Sequence, residues 1–176
     1  MLKILVTPPV TAEHKQLLET AGGPEAEFIY KNADEVDAAL MQEVDILFGN
    51  VAPALVAEAK KLRLLQLFSA GTDGYIPALP EGCALTNTTG AFGLAISEHM
   101  LGMLLMLQKR LHQYRDNQNK HVWQDMGNVT SIEGATVVVL GLGDIGGEFA
   151  RKVKALGAYT IGVRRTDANK PEYIDE

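Results

Sequence analysis

The sequence predicts an α/β protein built on parallel sheets, on three observations. Over the first half, short β-rich runs alternate with helical patterns, the signature of strands joined by crossover helices. A long, mostly apolar helical stretch then divides the chain. Beyond it, the run Thr136-Val137-Val138-Val139-Leu140 opens directly onto a glycine-rich turn and a further helical segment.

Taken in order, strands are expected at 3–7, 27–31, 45–48, 63–68 and 84–86. Helices are expected at 12–20, with Leu17 and Leu18 inward, at 33–42, and at 54–60 just after Pro53, a residue suited to a first helical turn. The unit reads β-α-β-α-β-α-β and predicts a flavodoxin-like parallel sheet. In such open sheets ligands bind outside the carboxyl ends of the strands, near the point where strand order reverses. That rule selects Thr7-Pro8, Gly49-Asn50-Val51 and Ser69-Ala70-Gly71. A single helix is expected from 94 to about 121. Its first half is apolar on most faces and its second half is polar, as in a connector that leaves a core for solvent or a neighbour.

Bulk properties narrow the function. With 176 residues, 47% of them hydrophobic, the chain can bury a real core. A net charge of −6 with both signs interspersed offers no basic stripe for nucleic acid, so a small-molecule partner is expected. Cys83 is the only cysteine and reads as an apolar filler; neither a disulfide nor a thiolate metal site is expected. The stretch 94–107 is interrupted by Glu98 and His99 and falls short of the roughly 20 apolar residues of a membrane span, so no membrane association and a cytoplasmic location are expected.

Gly141-Leu142-Gly143-Asp144-Ile145-Gly146 carries the functional argument. A strand precedes it, a helix is expected at 148–156, and a second strand at 159–163, which is the context a dinucleotide-binding fingerprint requires. The first glycine permits the tight turn, the second lets the backbone approach a pyrophosphate, and the third lets helix and strand pack closely. Gly141, Gly143, Asp144, Ile145 and Gly146 are therefore candidate cofactor residues of a Rossmann domain. At the end of the second strand, where an NAD site places an acid, stand Arg164 and Arg165. Two guanidiniums would pair with a 2′-phosphate, so NADP is favoured over NAD. The alternative is a solvated basic pair, with Asp167 accepting from the ribose.

Several segments together resemble the D-isomer-specific 2-hydroxyacid dehydrogenase family, which includes phosphoglycerate dehydrogenases and glyoxylate/hydroxypyruvate reductases. Leu67-Phe68-Ser69-Ala70-Gly71-Thr72-Asp73 is similar to the family's SAGxD loop. The stretch from Asn87-Thr88-Thr89-Gly90 to Ser97-Glu98-His99 is similar to its N-T-x-G to A-E-H segment, with Trp123 and the glycine fingerprint following at familiar spacing. The resemblance implies a substrate domain at 1–98, then a connector and the first β-α-β of an incomplete Rossmann domain at 99–176. It implies that the amides of Ser69, Ala70 and Gly71 hold a substrate carboxylate, as an anion nest at a strand end would. Asn50 and Val51 line the same side.

Glu98 and His99 read as a buried pair within the connector helix rather than as catalysts, and His14, His112 and His121 as solvated. The family's acid–base His, its Glu partner and its substrate-orienting Arg all follow the fingerprint, and none of these motifs occurs by Glu176. No catalytic residue is therefore assigned. The expectation is an incomplete form of an oxidoreductase moving hydride between NAD(P) and a small 2-hydroxy or 2-keto acid, inactive alone and homodimeric when full length. The alternative is a non-catalytic dinucleotide-binding or regulatory module on the same fold.

Overall fold

The computed structural model describes residues 1–166 and 169–176. The chain forms two compact units, Met1–Thr89 and Gly90–Glu176.

In the first unit five strands, β1 (Leu2–Val6), β2 (Ala26–Tyr30), β3 (Ile46–Phe48), β4 (Leu64–Gln66) and β5 (Ala84–Thr86), form one parallel sheet in the order β2-β1-β3-β4-β5. This is the expected flavodoxin-like order. Register explains the core: Leu5 pairs with Leu47, Leu47 with Leu65 and Leu65 with Leu85, so one leucine row crosses four strands. Leu5, Leu47 and Leu65 are fully buried, each contributing roughly 1.5–3 kcal/mol relative to exposure. Cys83 packs against this core, and burial pushes its thiol up, away from the thiolate.

The helices depart from expectation where polar side chains compete for the backbone. The helix expected at 33–42 is instead a 3-10 turn, Ala33–Glu35, and α2 (Ala38–Met41). Two caps fall inside that stretch: Glu35 accepts from Asn32 N–H at 3.1 Å, and Asp37 accepts from Leu40 N–H at 2.8 Å. The first opens the 3-10 turn, and the second ends it and starts α2. Helix α3 (Pro53–Ala57) starts at Pro53 and stops early. Helix α1 (Ala12–Gly22) opens on a reciprocal box in which Thr11 and His14 each accept the other's N–H, so His14 caps rather than being merely solvated. Leu17, expected inward, is 63% exposed.

In the second unit the single expected helix is two, α4 (Gly93–Gln108) and α5 (Leu111–Asn119). The break lies at Arg110, whose φ is +55°, a left-handed conformation rare outside glycine. Side chains at the corner hold it: Arg110 Nη1 donates to the Met126 carbonyl, and Lys109 Nζ donates to Thr130 O at 2.6 Å. His112, expected solvated, has its Nδ1 buried without a partner among the described residues. Glu98 and His99, expected buried, are exposed. The buried polar group of α4 is Ser97, which accepts from Lys152 Nζ of α6 (Asp144–Ala155) at 2.9 Å and donates to Leu94 O.

Strands β6 (Thr136–Leu140) and β7 (Tyr159–Val163) pair in parallel, with Val139, Ala150 and Ile174 buried together. The far edge of β7 is occupied by residues 173–176: Asp175 N–H donates to Thr160 O at 2.9 Å, and Gly162 N–H to Glu176 O at 2.7 Å. Val138 and Leu140 remain 61% and 86% exposed on one face, as an unfinished sheet would leave them.

The clamp on that edge is Asp175, whose carboxylate accepts two bonds from Lys154 Nζ, at 2.6 and 2.8 Å, and one from Thr160 N–H at 2.7 Å. The Lys154 bonds, then the Thr160 amide, hold its pKa down to about 2. An aspartate whose usual value is about 3.9 then contributes stability that is complete above that pH and lost as pH falls towards 2. Acid titration should lower the protection of the Gly162 amide relative to its intrinsic exchange rate across this window, and Asp175→Asn should lower that protection at neutral pH while flattening its acid dependence. Equal exchange in both proteins from pH 7 to 2 would show that the clamp does not hold the edge.

Candidate functional site

The two glycine-containing turns singled out in the sequence lie in different units, and each is built from its own neighbours. In the first unit, Gly49 follows β3 with φ of +120°. A Cβ there would lie 2.0 Å from Thr7 Oγ1 and 2.7 Å from Pro8 Cδ. The ends of β1 and β3 therefore meet at the switch point on a residue that must be glycine.

Asn50, next in the chain, uses both ends of its amide. Its Oδ1 accepts from Phe68 N–H at 2.8 Å and its Nδ2 donates to Ser69 Oγ at 2.9 Å. Val51 is 3% exposed, in the core, with its carbonyl accepting from Tyr75 OH at 3.0 Å. The Val51 side chain is closed to a ligand, and the half-buried Asn50 braces the turn from beneath.

Residues after β5 anchor the turn by its carbonyls. Thr88 Oγ1 donates to Phe68 O at 3.2 Å, Thr88 N–H to Ser69 O at 3.2 Å, and Asn87 Nδ2 to Ala70 O at 2.8 Å. A trans peptide carries its N–H opposite its C=O. Tying these three carbonyls towards β5 therefore aims the N–H groups of Ser69, Ala70 and Gly71 the other way, and among the described residues none of the three meets an acceptor. Ala70 and Gly71 are exposed. Successive amides presented this way make a concave donor set for an anion. Asn87 and Thr88, read in the sequence only as part of a motif, are the residues that set it up; their signal was their position directly after β5.

In the second unit, β6 ends at Gly141, whose φ is +97°, and α6 starts at Asp144 with Gly143 as its N-cap. A Cβ on Gly146 would lie 1.9 Å from Gly141 O, so helix and turn touch backbone to backbone there. A Cβ on Gly143 would meet nothing within 4 Å. Gly143 thus borders open space at the helix N-terminus, where first-turn amides lack intrahelical acceptors. The Asp144 carboxylate turns away to Gly93, the first residue of α4: Oδ1 would lie 2.2 Å from a Cβ there. Asp144 and Ile145 therefore offer this space their backbone.

A concavity of about 690 Å3 runs from Gly141 and Gly143 to Val163, Arg164, Arg165 and Thr166. Both arginines are exposed at its rim, and Lys170 lines an adjoining one of about 420 Å3. Bare backbone, the amide end of a helix and a cationic rim fit the diphosphate and adenosine parts of a dinucleotide. Asp167, the alternative ribose acceptor, lies outside the described residues. Another concavity, of about 770 Å3, lies along α5 and residues 121–125. Among the described residues no three His, Cys, Asp or Glu side chains come together to hold a metal ion, and no helix is long and apolar enough to cross a membrane.

Comparison with known proteins agrees with this geometry. The family model described as D-isomer specific 2-hydroxyacid dehydrogenase, NAD binding domain, matches residues 101–175. The D-3-phosphoglycerate dehydrogenase of Methanocaldococcus jannaschii is 27% identical over 170 residues, covering 92% of this chain and 32% of that protein. The enzyme of the same name from Rattus norvegicus is 28% identical, covering 91% of this chain and 31% of its own length. The chain thus spans about a third of these curated relatives. The crystal structure of a D-isomer specific 2-hydroxyacid dehydrogenase family protein from Aeromonas salmonicida superposes with a TM-score of 0.83 at 30% identity, covering 99% of this chain and 56% of that one. Residues 101–175 are thus similar to the NAD binding domain of the D-isomer specific 2-hydroxyacid dehydrogenases, and the chain along most of its length is similar to the first part of such proteins.

Proposed function

We propose that the chain supplies the carboxylate-binding turn and the adenosine half of the cofactor site of an oxidoreductase that moves hydride between a nicotinamide dinucleotide and a small 2-hydroxy or 2-keto acid. The observation that carries this reading is the concavity that joins Gly141 and Gly143 to Arg164 and Arg165. The nicotinamide, when bound, supplies the hydride donor or acceptor. The protein's part is positional. Amides at the start of α6 hold the diphosphate, and the amides of Ser69, Ala70 and Gly71 hold the substrate carboxylate. Asn50, Asn87 and Thr88 fix the latter turn. No acid–base group is assigned in this chain, which is expected to bind without oxidising NADPH in the presence of glyoxylate.

The cofactor preference we propose is NADP, because Arg164 and Arg165 stand on the rim where a ribose 2′-phosphate would lie. Calorimetric titration of the chain should show 2′,5′-ADP binding about tenfold tighter than 5′-AMP, and Arg164→Asp should erase that difference. The two proteins should be compared at one low ionic strength, because exposed phosphate contacts are screened. Equal affinity of the unmodified chain for both nucleotides would make the arginines an ordinary surface pair.

The glycines separate binding from folding. Gly143→Ala adds a methyl into open space, so it should leave Tm nearly unchanged and abolish 2′,5′-ADP binding by filling the place of its 5′-phosphate, which stands for the adenosine-side phosphate of the dinucleotide. Gly146→Ala forces its methyl onto a backbone oxygen and should lower Tm by about 5 °C or more. A Gly143→Ala protein that binds normally would remove the diphosphate from this turn.

We further propose a homodimer formed through the segment after α5. Trp123 is wholly exposed there, with Val122, Val129 and Leu111 each about half-exposed. A cluster of this kind suits a self-complementary interface better than solvent. Sedimentation should show a dimer that Trp123→Asp shifts to monomer; a monomer at all concentrations in the unmodified chain would exclude the arrangement.

A further inference from the structure

We infer that Gly93, the first residue of α4, is a positioning residue of the cofactor site: having no Cβ, it gives the Asp144 carboxylate a place away from the amides that would hold the diphosphate. This rests on the reading of the α6 N-terminus as the diphosphate's place. Both residues belong to the second unit. The face of α4 that meets α6 is buried at Gly93 and Ser97, one turn apart, and Ser97 accepts from Lys152 Nζ. Asp144, Glu148 and Lys152 are spaced by four along α6, so one stripe of that helix faces α4. At the N-terminal end of the stripe the Asp144 carboxylate stands where a side chain on residue 93 would be. A Cβ there would lie 2.8 Å from Asp144 Cγ and 3.0 Å from the Asp144 carbonyl oxygen.

The charge suits that place. Helix α4 opens with no acidic residue in its first turn and no side chain capping it, so its N-terminal end is positive and takes a carboxylate favourably. Among the described residues no hydrogen bond or ion pair ties the Asp144 side chain. The room beside Gly93 and the field of the helix end are what keep it there.

A Cβ at position 93 would press mainly on the free end of a flexible side chain, and the cheapest relief is rotation of Asp144 about χ1 with both helices staying in place. Helical side chains lean towards the N-terminus of their own helix. Asp144 is the first residue of α6, so a carboxylate turned out of its place beside Gly93 swings over the Gly141–Gly143 turn and the first-turn amides. There it takes up donors that a phosphate needs and repels the phosphate as well. A residue that touches no ligand thus decides where a charge beside the diphosphate stands.

The test is a cycle of four chains, the unmodified protein, Gly93→Ala, Asp144→Ala and the two changes together, titrated calorimetrically with 2′,5′-ADP at one low ionic strength. Gly93→Ala should weaken binding about tenfold when Asp144 is present, the scale of a carboxylate about 5 Å from a phosphate dianion in water. In the Asp144→Ala background the same change should cost less than about twofold. Adenosine 2′-phosphate, which has no 5′-phosphate, should bind all four chains alike, and added salt should shrink the tenfold loss. A Gly93→Ala protein that binds 2′,5′-ADP as tightly as the unmodified chain, or a loss of equal size in both backgrounds, overturns the inference and leaves the diphosphate site standing. If Gly93→Ala does not fold, Asp144→Glu and Asp144→Gln carry the test with Gly93 in place. Each needs room for one more methylene beside Gly93 and swings out, so Asp144→Glu should bind 2′,5′-ADP about tenfold more weakly than Asp144→Gln; equal affinities overturn the inference. If the unmodified chain binds 2′,5′-ADP no better than adenosine 2′-phosphate, the diphosphate site falls and takes the inference with it.

Discussion

Each peptide of the 68–71 turn has two opposed polar edges, and only one of them is spent within the protein. Asn87 and Thr88 bind the carbonyl edge, and the amide edge is then aimed away as a matter of covalent geometry. The α6 terminus follows the same constraint: a helix uses the carbonyls of its first turn, as in Gly147 N–H to Gly143 O at 2.8 Å, and leaves the amides ahead of it without internal acceptors. Both candidate sites are therefore donor sets made by backbone. They ask of the sequence only small residues at the turn and anchoring side chains behind it.

That division of labour decides which residues carry specificity. Amides recognise a carboxylate or diphosphate, and they do so irrespective of the rest of the ligand. On the proposed reading, discrimination falls to the side chains at the rim, among them Arg164 and Arg165 beside the glycine turn. Relatives sharing the turns could differ at these positions and accept different acids or cofactors without any change of fold. An identity of 27–30% over most of the chain is compatible with such divergence.

Much of the fold was legible because strand signals were strong and local. The apolar runs at 84–86, 136–140 and 159–163 became β5, β6 and β7 with the expected bounds, since β-branched and apolar residues flanked by turn formers leave few alternatives. The break between α4 and α5 was not legible: no glycine or proline marks it, and Arg110 takes its left-handed conformation through bonds to a segment some sixteen residues away. Nor could a sequence show that Asn50 faces inward. Asparagine at a strand end is equally a turn former, a ligand contact or a brace, and only the 2.8 Å bond from Phe68 N–H distinguishes them. Glu98 and His99 were misplaced for a related reason, because on a helix apolar nearly all round periodicity cannot assign the buried face.

Trp123 is the only tryptophan in the chain and its ring is wholly in water. Its light emission is therefore set by solvent, not by packing, and a denaturant that melts both sheets leaves its surroundings almost as they were. In a lone subunit the indole is blind to folding, which must be followed by the far-ultraviolet signal of the backbone, and it is sensitive to whatever displaces water from the segment after α5.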